Sequence, residues 1–223
     1  MSVKMAYNYF MGDNVPKNLI YFIYYGGKIT HYHRLNLRFL NKYWHLFDGQ
    51  KVVKVAIDLG YNAKPIMELL PKDCKVEFVE NNRTFGEAVH FADSISRVSG
   101  GITFYSHCKG VSRPVMRGLD KWISHLYEGN LNAIPDLSNK LFSSVCGKLL
   151  PCPPYVPQDF HYSGSFYWFN TDKVKARMKA MPMDRYLSER FPAVIAKESE
   201  CIFNYPSFNK NLNYYDERTW ATL

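Results

Sequence analysis

VVKVAIDLG at 52–60, CKVEFVEN at 74–81 and GITFYSHCKG at 101–110, with helix-like stretches at 63–70 and 84–98 between them, decide how this chain folds. Each quoted segment is a short run with Val, Ile or Phe that ends in Gly or Asn and reads as a strand. Working outward, NLIYFIYY at 18–25 is a fourth run of this kind, closed by Gly26-Gly27. Between it and the second run, Leu35, Leu37, Phe39, Leu40, Trp44 and Phe47 recur near helical spacing until Asp48-Gly49 stops them. Strands that alternate with helices of this length predict βαβ units: an α/β fold with a mostly parallel central sheet flanked by helices, whose ligands sit beyond the carboxyl ends of the strands. The residues expected there are Tyr24, Tyr25, Asp58, Asn81, Asn82, His107 and Lys109.

Downstream the tone changes. Trp122, Leu126 and Leu131, then Leu137, Leu141 and Val145, predict helix over much of 115–149. PCPPYVP at 151–157 fits neither a helix nor a central strand, so it reads as an extended connection into FHYSGSFYWFN at 160–170, a stretch of strong strand propensity. Short helices are expected around 172–180 and 184–190, before a Tyr- and Asn-rich end without clear periodicity.

With 223 residues, 47% of them hydrophobic, the chain can bury one sizeable core, which excludes a disordered tail or a disulfide miniprotein. The formal net charge of +8 favours anionic partners such as phosphates, nucleic acid or acidic lipid. Five scattered cysteines without a C-x-x-C pair suggest neither a zinc knuckle nor a disulfide framework, and a reduced, cytoplasmic setting follows. No signal peptide and no membrane span is expected, since no stretch approaches 18 uncharged apolar residues.

The densest polar cluster, 105–113, puts Lys109 and Arg113 around Gly110 and Ser112 where a parallel strand gives way to a loop. Such a turn can neutralise a diphosphate; the plainer reading is a solvated basic turn. Neither a Walker loop nor G-x-G-x-x-G is present. In the second cluster His161, Tyr162, Ser163, Gly164 and Trp168 alternate aromatic with small polar groups, which suits a stacked sugar or base, although a core strand with a glycine bulge explains Trp168 equally well. Asn81 and Arg83 at a strand end can read a nucleoside and reach phosphate, or Asn82 can cap a helix near Thr84 with Glu87 completing a capping box. His31 and His33 lack further ligands at metal-site spacing and are set aside.

Taken together, FVENNRTFGEAVHF (78–91), GITFYSHCKGVSR (101–113), a helix with Trp122, FHYSGSFYWFNTDKV (160–174), SERFPAV (188–194) and CIF (201–203) resemble a group of bacterial and phage glycosyltransferase-like proteins. Their shared features are Y-x-H-x-K-G and Y-S-G-x-F-x-W segments. The resemblance implies a single GT-A-like domain over 1–223, with a Rossmann-like nucleotide-binding half at about 18–110 and an acceptor-binding half at about 111–223 in one continuous sheet. It implies a nucleotide-sugar donor, a UDP-sugar first, with Tyr24, Tyr25, Asp58, Asn81, Arg83, Lys109 and Arg113 as donor contacts. His161, Tyr162, Ser163, Gly164 and Trp168 then become acceptor contacts. The catalytic candidates are Glu189 in SERFP as general base, Glu198 behind it, Lys109 at the leaving group, and His107. Where most of that superfamily places a metal-binding Asp-x-Asp, this sequence reads His107-Cys108-Lys109, so metal dependence is in doubt and Lys109 with Arg113 would supply the charge instead.

The leading expectation is therefore transfer of a sugar to a hydroxyl of a large acceptor, a glycan or, in a phage setting, a hydroxymethylated DNA base flipped from its stack. Two alternatives stay open here: a non-catalytic nucleic-acid-binding module with aromatic stacking platforms, and a pyrophosphorylase-like nucleotidyltransferase, which wants a richer glycine loop than Gly26-Gly27.

Overall fold

The structure, a computed structural model, describes residues 15–145, 148–149, 161–162, 164–178 and 187–203. Strand β1 (Lys17–Tyr25) leads through α1 (His31–Tyr43) to β2 (Lys51–Ile57), and α2 (Lys64–Met67) follows. After β3 (Val76–Glu80), α3 (Ala88–Ser96) crosses to β4 (Ile102–His107). The chain continues with α4 (Arg117–Leu131), β5 (Phe142–Ser144), β6 (Lys148–Leu149), β7 (His161–Tyr162), β8 (Tyr167–Asn170), α5 (Thr171–Arg177), α6 (Leu187–Ile195) and β9 (Cys201–Phe203).

Seven strands form one sheet in the order β3-β2-β1-β4-β8-β5-β9, while β6 and β7 make a separate antiparallel ribbon. Every strand of the large sheet runs the same way except β8, which is antiparallel to β4 and β5. The expected α/β fold, a mostly parallel sheet flanked by helices, is thus what the chain adopts. Connections β1–α1–β2 and β3–α3–β4 step across the sheet in opposite directions, so right-handed crossovers put α1 and α3 on opposite faces. Helix α4 joins α1, and α5 and α6 join α3. The strand order reverses between β1 and β4, which opens a crevice at their carboxyl ends.

Alternation along the strands sorts the core into two halves. Phe104 and Trp168 meet Phe47 and Phe166 on the α1–α4 side, and Tyr105 and Tyr167 meet Phe91, Phe142 and Phe191 on the α3–α6 side. His107, two residues beyond Tyr105, therefore faces the α3–α6 side. Lys54, inside the buried run of β2, is only 2% exposed; its ammonium is neutralised by Asp93 at 2.5 Å and Glu77 at 3.6 Å.

Three expectations need correction. Leu137, Leu141 and Val145 are buried but not helical: α4 ends at Leu131, and Phe142–Ser144 is strand, since these residues pair with both β8 and β9. The single strand expected at 160–170 is two, in different sheets, because Gly164 (φ 89) and Ser165 (φ 56) enter the left-handed region and turn the chain between them. Residues 201–203, in a stretch without periodicity, form β9 at the sheet edge. Among the described residues no helix is long and apolar enough to cross a membrane. PCPPYVP lies outside the described residues.

Candidate functional site

A cleft of about 530 Å³ opens at the carboxyl ends of β1, β3 and β4. Its floor is Phe22 and His107, adjacent across the β1–β4 ladder, and one wall is Tyr24 with Asn81 and Arg83. Gly110, Val111 and Ser112 of the turn after β4 line another side, and Glu87, Ser188 and Glu189 line the side toward α3 and α6.

The first wall is organised by Asp58. Its Oδ1 accepts from Asn81 Nδ2 at 2.7 Å, and its Oδ2 accepts from Arg83 Nη2 at 3.2 Å and from the Tyr24 hydroxyl at 3.4 Å. The Asn81 hydrogen bond first, and the Arg83 guanidinium with it, hold the Asp58 carboxyl below its ordinary range. Burial and then Asp58 raise the Tyr24 phenol, which stays a proton donor. Asn82 adds the Asx turn: its Oδ1 accepts from the amides of Thr84 and Phe85 at 3.1 and 2.9 Å. Glu87 does not complete the capping box; α3 starts only at Ala88.

Glu87 instead belongs to the cleft. Its Oε1 lies 3.4 Å from His107 Nδ1, each side chain being 17% exposed, and accepts from Ser188 Oγ at 2.5 Å. Burial pushes the Glu87 carboxyl up, but the facing His107 first, and then the hydrogen bond from Ser188, outweigh it and bring it down to about 2. Ser188 is fixed in turn by a proline. In α6, Pro192 has no N–H for the carbonyl four residues earlier, and that carbonyl, Ser188 O, accepts the Tyr167 hydroxyl at 2.8 Å.

Acid stability depends on this pairing. A glutamate lowered from its ordinary value of about 4.3 to about 2 adds stability that is fully present above the ordinary value and lost as pH falls through about 2. Glu200, held near 2 chiefly by hydrogen bonds from Arg177, adds to the same window. Urea unfolding from pH 5 to 2 is expected to show a shallower decline for Glu87→Gln than for the wild type; equal slopes would refute the pairing.

The turn after β4 is clamped from below. Asn36 Nδ2 donates to Lys109 O at 2.9 Å and its Oδ1 accepts from Lys109 N at 3.1 Å, and the Tyr127 hydroxyl, bonded to that of Tyr21 at 2.6 Å, donates to the same Oδ1. Gly110 (φ 81) completes the turn where a Cβ would stand 2.8 Å from Leu119 Cδ2. Cys108 lines the cleft, but burial pushes its thiol up to about 12 despite the bond to Tyr21, so it is no thiolate nucleophile.

Of the residues expected from sequence, Tyr24, Asn81, Arg83, His107 and Glu189 meet around this cleft, with Asp58 tying its first wall. Others do not. Lys109 is turned toward α4, its ammonium 4.3 Å from the centre of the Trp122 ring, where the cation rests on a π face. Arg113 is exposed on the same turn but is not among the residues lining the cleft. Tyr25 is 1% exposed because it points into the core, edge-on to His33. Trp168, also 1% exposed, donates to Asn130 O at 2.8 Å inside the core and offers no face to an acceptor. Gly164 is buried against Leu126 and the Lys109 stem, and Glu198 lies in a 3₁₀ turn just before β9. Ser163 and the side chains of His161 and Tyr162 lie outside the described residues. His31 pairs with Asp120 at 2.9 Å, and His33 caps α1 and reaches Tyr24 O at 2.7 Å. Among the described residues no group of three His, Cys, Asp or Glu could hold a metal ion. Glu87 and Ser188 went unrecognised in the sequence; the one signal for Ser188 was the proline four residues on.

No protein-family model and no curated protein matches the chain. Among solved structures it is similar to a 4-diphosphocytidyl-2C-methyl-D-erythritol synthase from Anaerococcus prevotii DSM 20548, at 10% identity and TM-score 0.44, covering 94% of this chain and 97% of that one. It is also similar to the mannosyltransferase PcManGT from Pyrobaculum calidifontis in complex with GDP-Man and Mn2+, at 13% identity and TM-score 0.41, covering 86% of this chain and 55% of that one. A 2-C-methyl-D-erythritol 4-phosphate cytidylyltransferase from Thermus thermophilus is similar at 12% identity and TM-score 0.33, covering 93% and 98%. At these TM-scores the likenesses carry no weight for chemistry, which rests on the cleft itself.

Proposed function

We propose that this chain is a nucleotide-sugar-dependent glycosyltransferase that moves a sugar from a UDP-sugar to a hydroxyl acceptor. The observation that carries this reading is the cleft at the point where strand order reverses, with Tyr24, Asn81 and Arg83 on one side and Glu87, Ser188 and Glu189 on the other. Tyr24, Asn81 and Arg83, organised by Asp58, suit the polar edges of a base and ribose and the charge of a phosphate. The small residues 110–112 leave room for the diphosphate beside the cation of Arg83. Two groups at the cleft can take the acceptor proton, Glu189 and His107. A glycan hydroxyl is the acceptor class, a hydroxymethylated DNA base its phage variant.

A stacking module for nucleic acid has less support. Among the described aromatics only Tyr61 and Phe78 are large and exposed, and most of the others are buried in the core.

The residues that replace an Asp-x-Asp do not fit a metal. His107 faces Glu87, the Cys108 thiol stays protonated beside Tyr21, and Lys109 is a cation. Thermal stabilisation by UDP, and UDP release from one member of a panel of nucleotide sugars, are expected, and release is expected to persist in EDTA. No shift with any nucleoside diphosphate would refute the transferase reading, and a strict need for manganese or magnesium would refute its metal-free form.

A further inference from the structure

Resting on that glycosyl-transfer reading, we propose that His107 takes the proton of the acceptor hydroxyl, and that Glu87, held by Ser188, is the positioning residue that aims its imidazole. Three elements converge to build this arrangement: His107 ends β4, Glu87 precedes α3 and Ser188 lies in the first turn of α6. The 3.4 Å separation of His107 Nδ1 and Glu87 Oε1 is longer than a closed hydrogen bond, as catalytic contacts often are before substrate binds. With Nδ1 turned to the carboxylate, Nε2 is the ring nitrogen left to meet a ligand, which defines the tautomer.

The carboxylate cannot swing freely. Ser188 Oγ holds the same Oε1 at 2.5 Å, and Ser188 is anchored through its carbonyl by Tyr167. The Tyr105 hydroxyl, on a side chain 1% exposed, is buried beside Glu87 as well. A carboxylate so held serves to orient and compensate a neighbouring cation, and His107 beside it lies on the floor of the same cleft.

In the step, the acceptor oxygen bonds to the anomeric carbon as its proton passes to His107 Nε2. The bond from the anomeric carbon to the diphosphate oxygen breaks, and its electron pair leaves with the nucleoside diphosphate. The imidazolium formed lies against the Glu87 carboxylate and afterwards returns its proton to water.

The test uses the full chain with the donor found in the panel and a hydroxyl acceptor. His107→Ala is expected to lower kcat by about 10²–10⁴-fold with little change in donor KM, and added imidazole to restore part of the loss. Glu87→Gln is expected to lower kcat roughly tenfold or more with donor KM kept, because the tautomer is no longer enforced. Nitrogen NMR of the imidazole, which needs no turnover, is expected to show the neutral ring protonated at Nδ1 in the wild type and a tautomer mixture in Glu87→Gln. Full turnover in His107→Ala with UDP still bound would overturn this assignment and leave the transferase reading standing. So would an Nε2-protonated ring in the wild type, or turnover lost in Glu189→Gln but kept in His107→Asn. Failure to bind any nucleoside diphosphate would overturn both.

Discussion

Asp58→Ala is expected to lose about a hundredfold in kcat/KM for the donor while its melting temperature stays within roughly 3 °C of the wild type. One carboxylate gathers side chains from three places: Tyr24 on β1, Asn81 at the end of β3, and Arg83 in the loop beyond. All three line the cleft, so removing their common acceptor frees each to leave the geometry a nucleoside needs, and small displacements of binding groups are costly in rate. The fold is little affected because Asp58 lies at the rim, outside the apolar clusters. Asp58→Asn is expected to fall between, keeping an acceptor for Asn81 but losing the charge that holds Arg83. Donor kinetics within threefold of wild type in Asp58→Ala would sink the assignment of this wall to the nucleoside.

The second large effect is on stability. Trp168→Ala is expected to cost about 3–5 kcal/mol in urea unfolding, since the indole is buried among aromatic side chains that cannot collapse to fill its space. Its ring centre lies 5.1 Å from that of Phe104 and 6.0 Å from that of Phe47. Trp168→Phe keeps a ring but leaves the Asn130 carbonyl without its 2.8 Å donor, for an expected cost of about 1–3 kcal/mol. Neither variant is expected to change acceptor KM in the folded fraction. A raised acceptor KM with stability intact would restore the sugar-stacking role that the residue pattern suggested for this tryptophan.

Strands β1, β2 and β4 were legible as runs buried along most of their length on both faces of a parallel sheet, and β3, an edge strand with Phe78 exposed, from its Val- and Phe-rich composition. Their carboxyl ends named Tyr24, Asp58, Asn81 and His107 in advance. Strands β5 and β9 were not legible. Three residues each, they are strands only because β8 and each other offer partners, and pairing across such sequence distances leaves no local period. Glu87 was misread for a similar reason: Thr84 and Glu87 have the spacing of a capping box, yet the side chain is claimed by His107 and Ser188. Lys109 looked like the diphosphate cation from its neighbours in sequence, but Trp122 on α4 turns it aside.

Local periodicity records which residues are hidden from water, so the amino-acid order alone determined the alternation of strands and helices, the mostly parallel sheet, and the sheet edge at which the cleft opens. Which ionisable groups face one another was decided only when the chain closed. Glu87 meets His107 across a βαβ crossover, and Ser188 reaches Glu87 from a helix about a hundred residues away in sequence. Contacts of that range depend on crossover handedness and on the face a strand residue presents, and no window of sequence contains either.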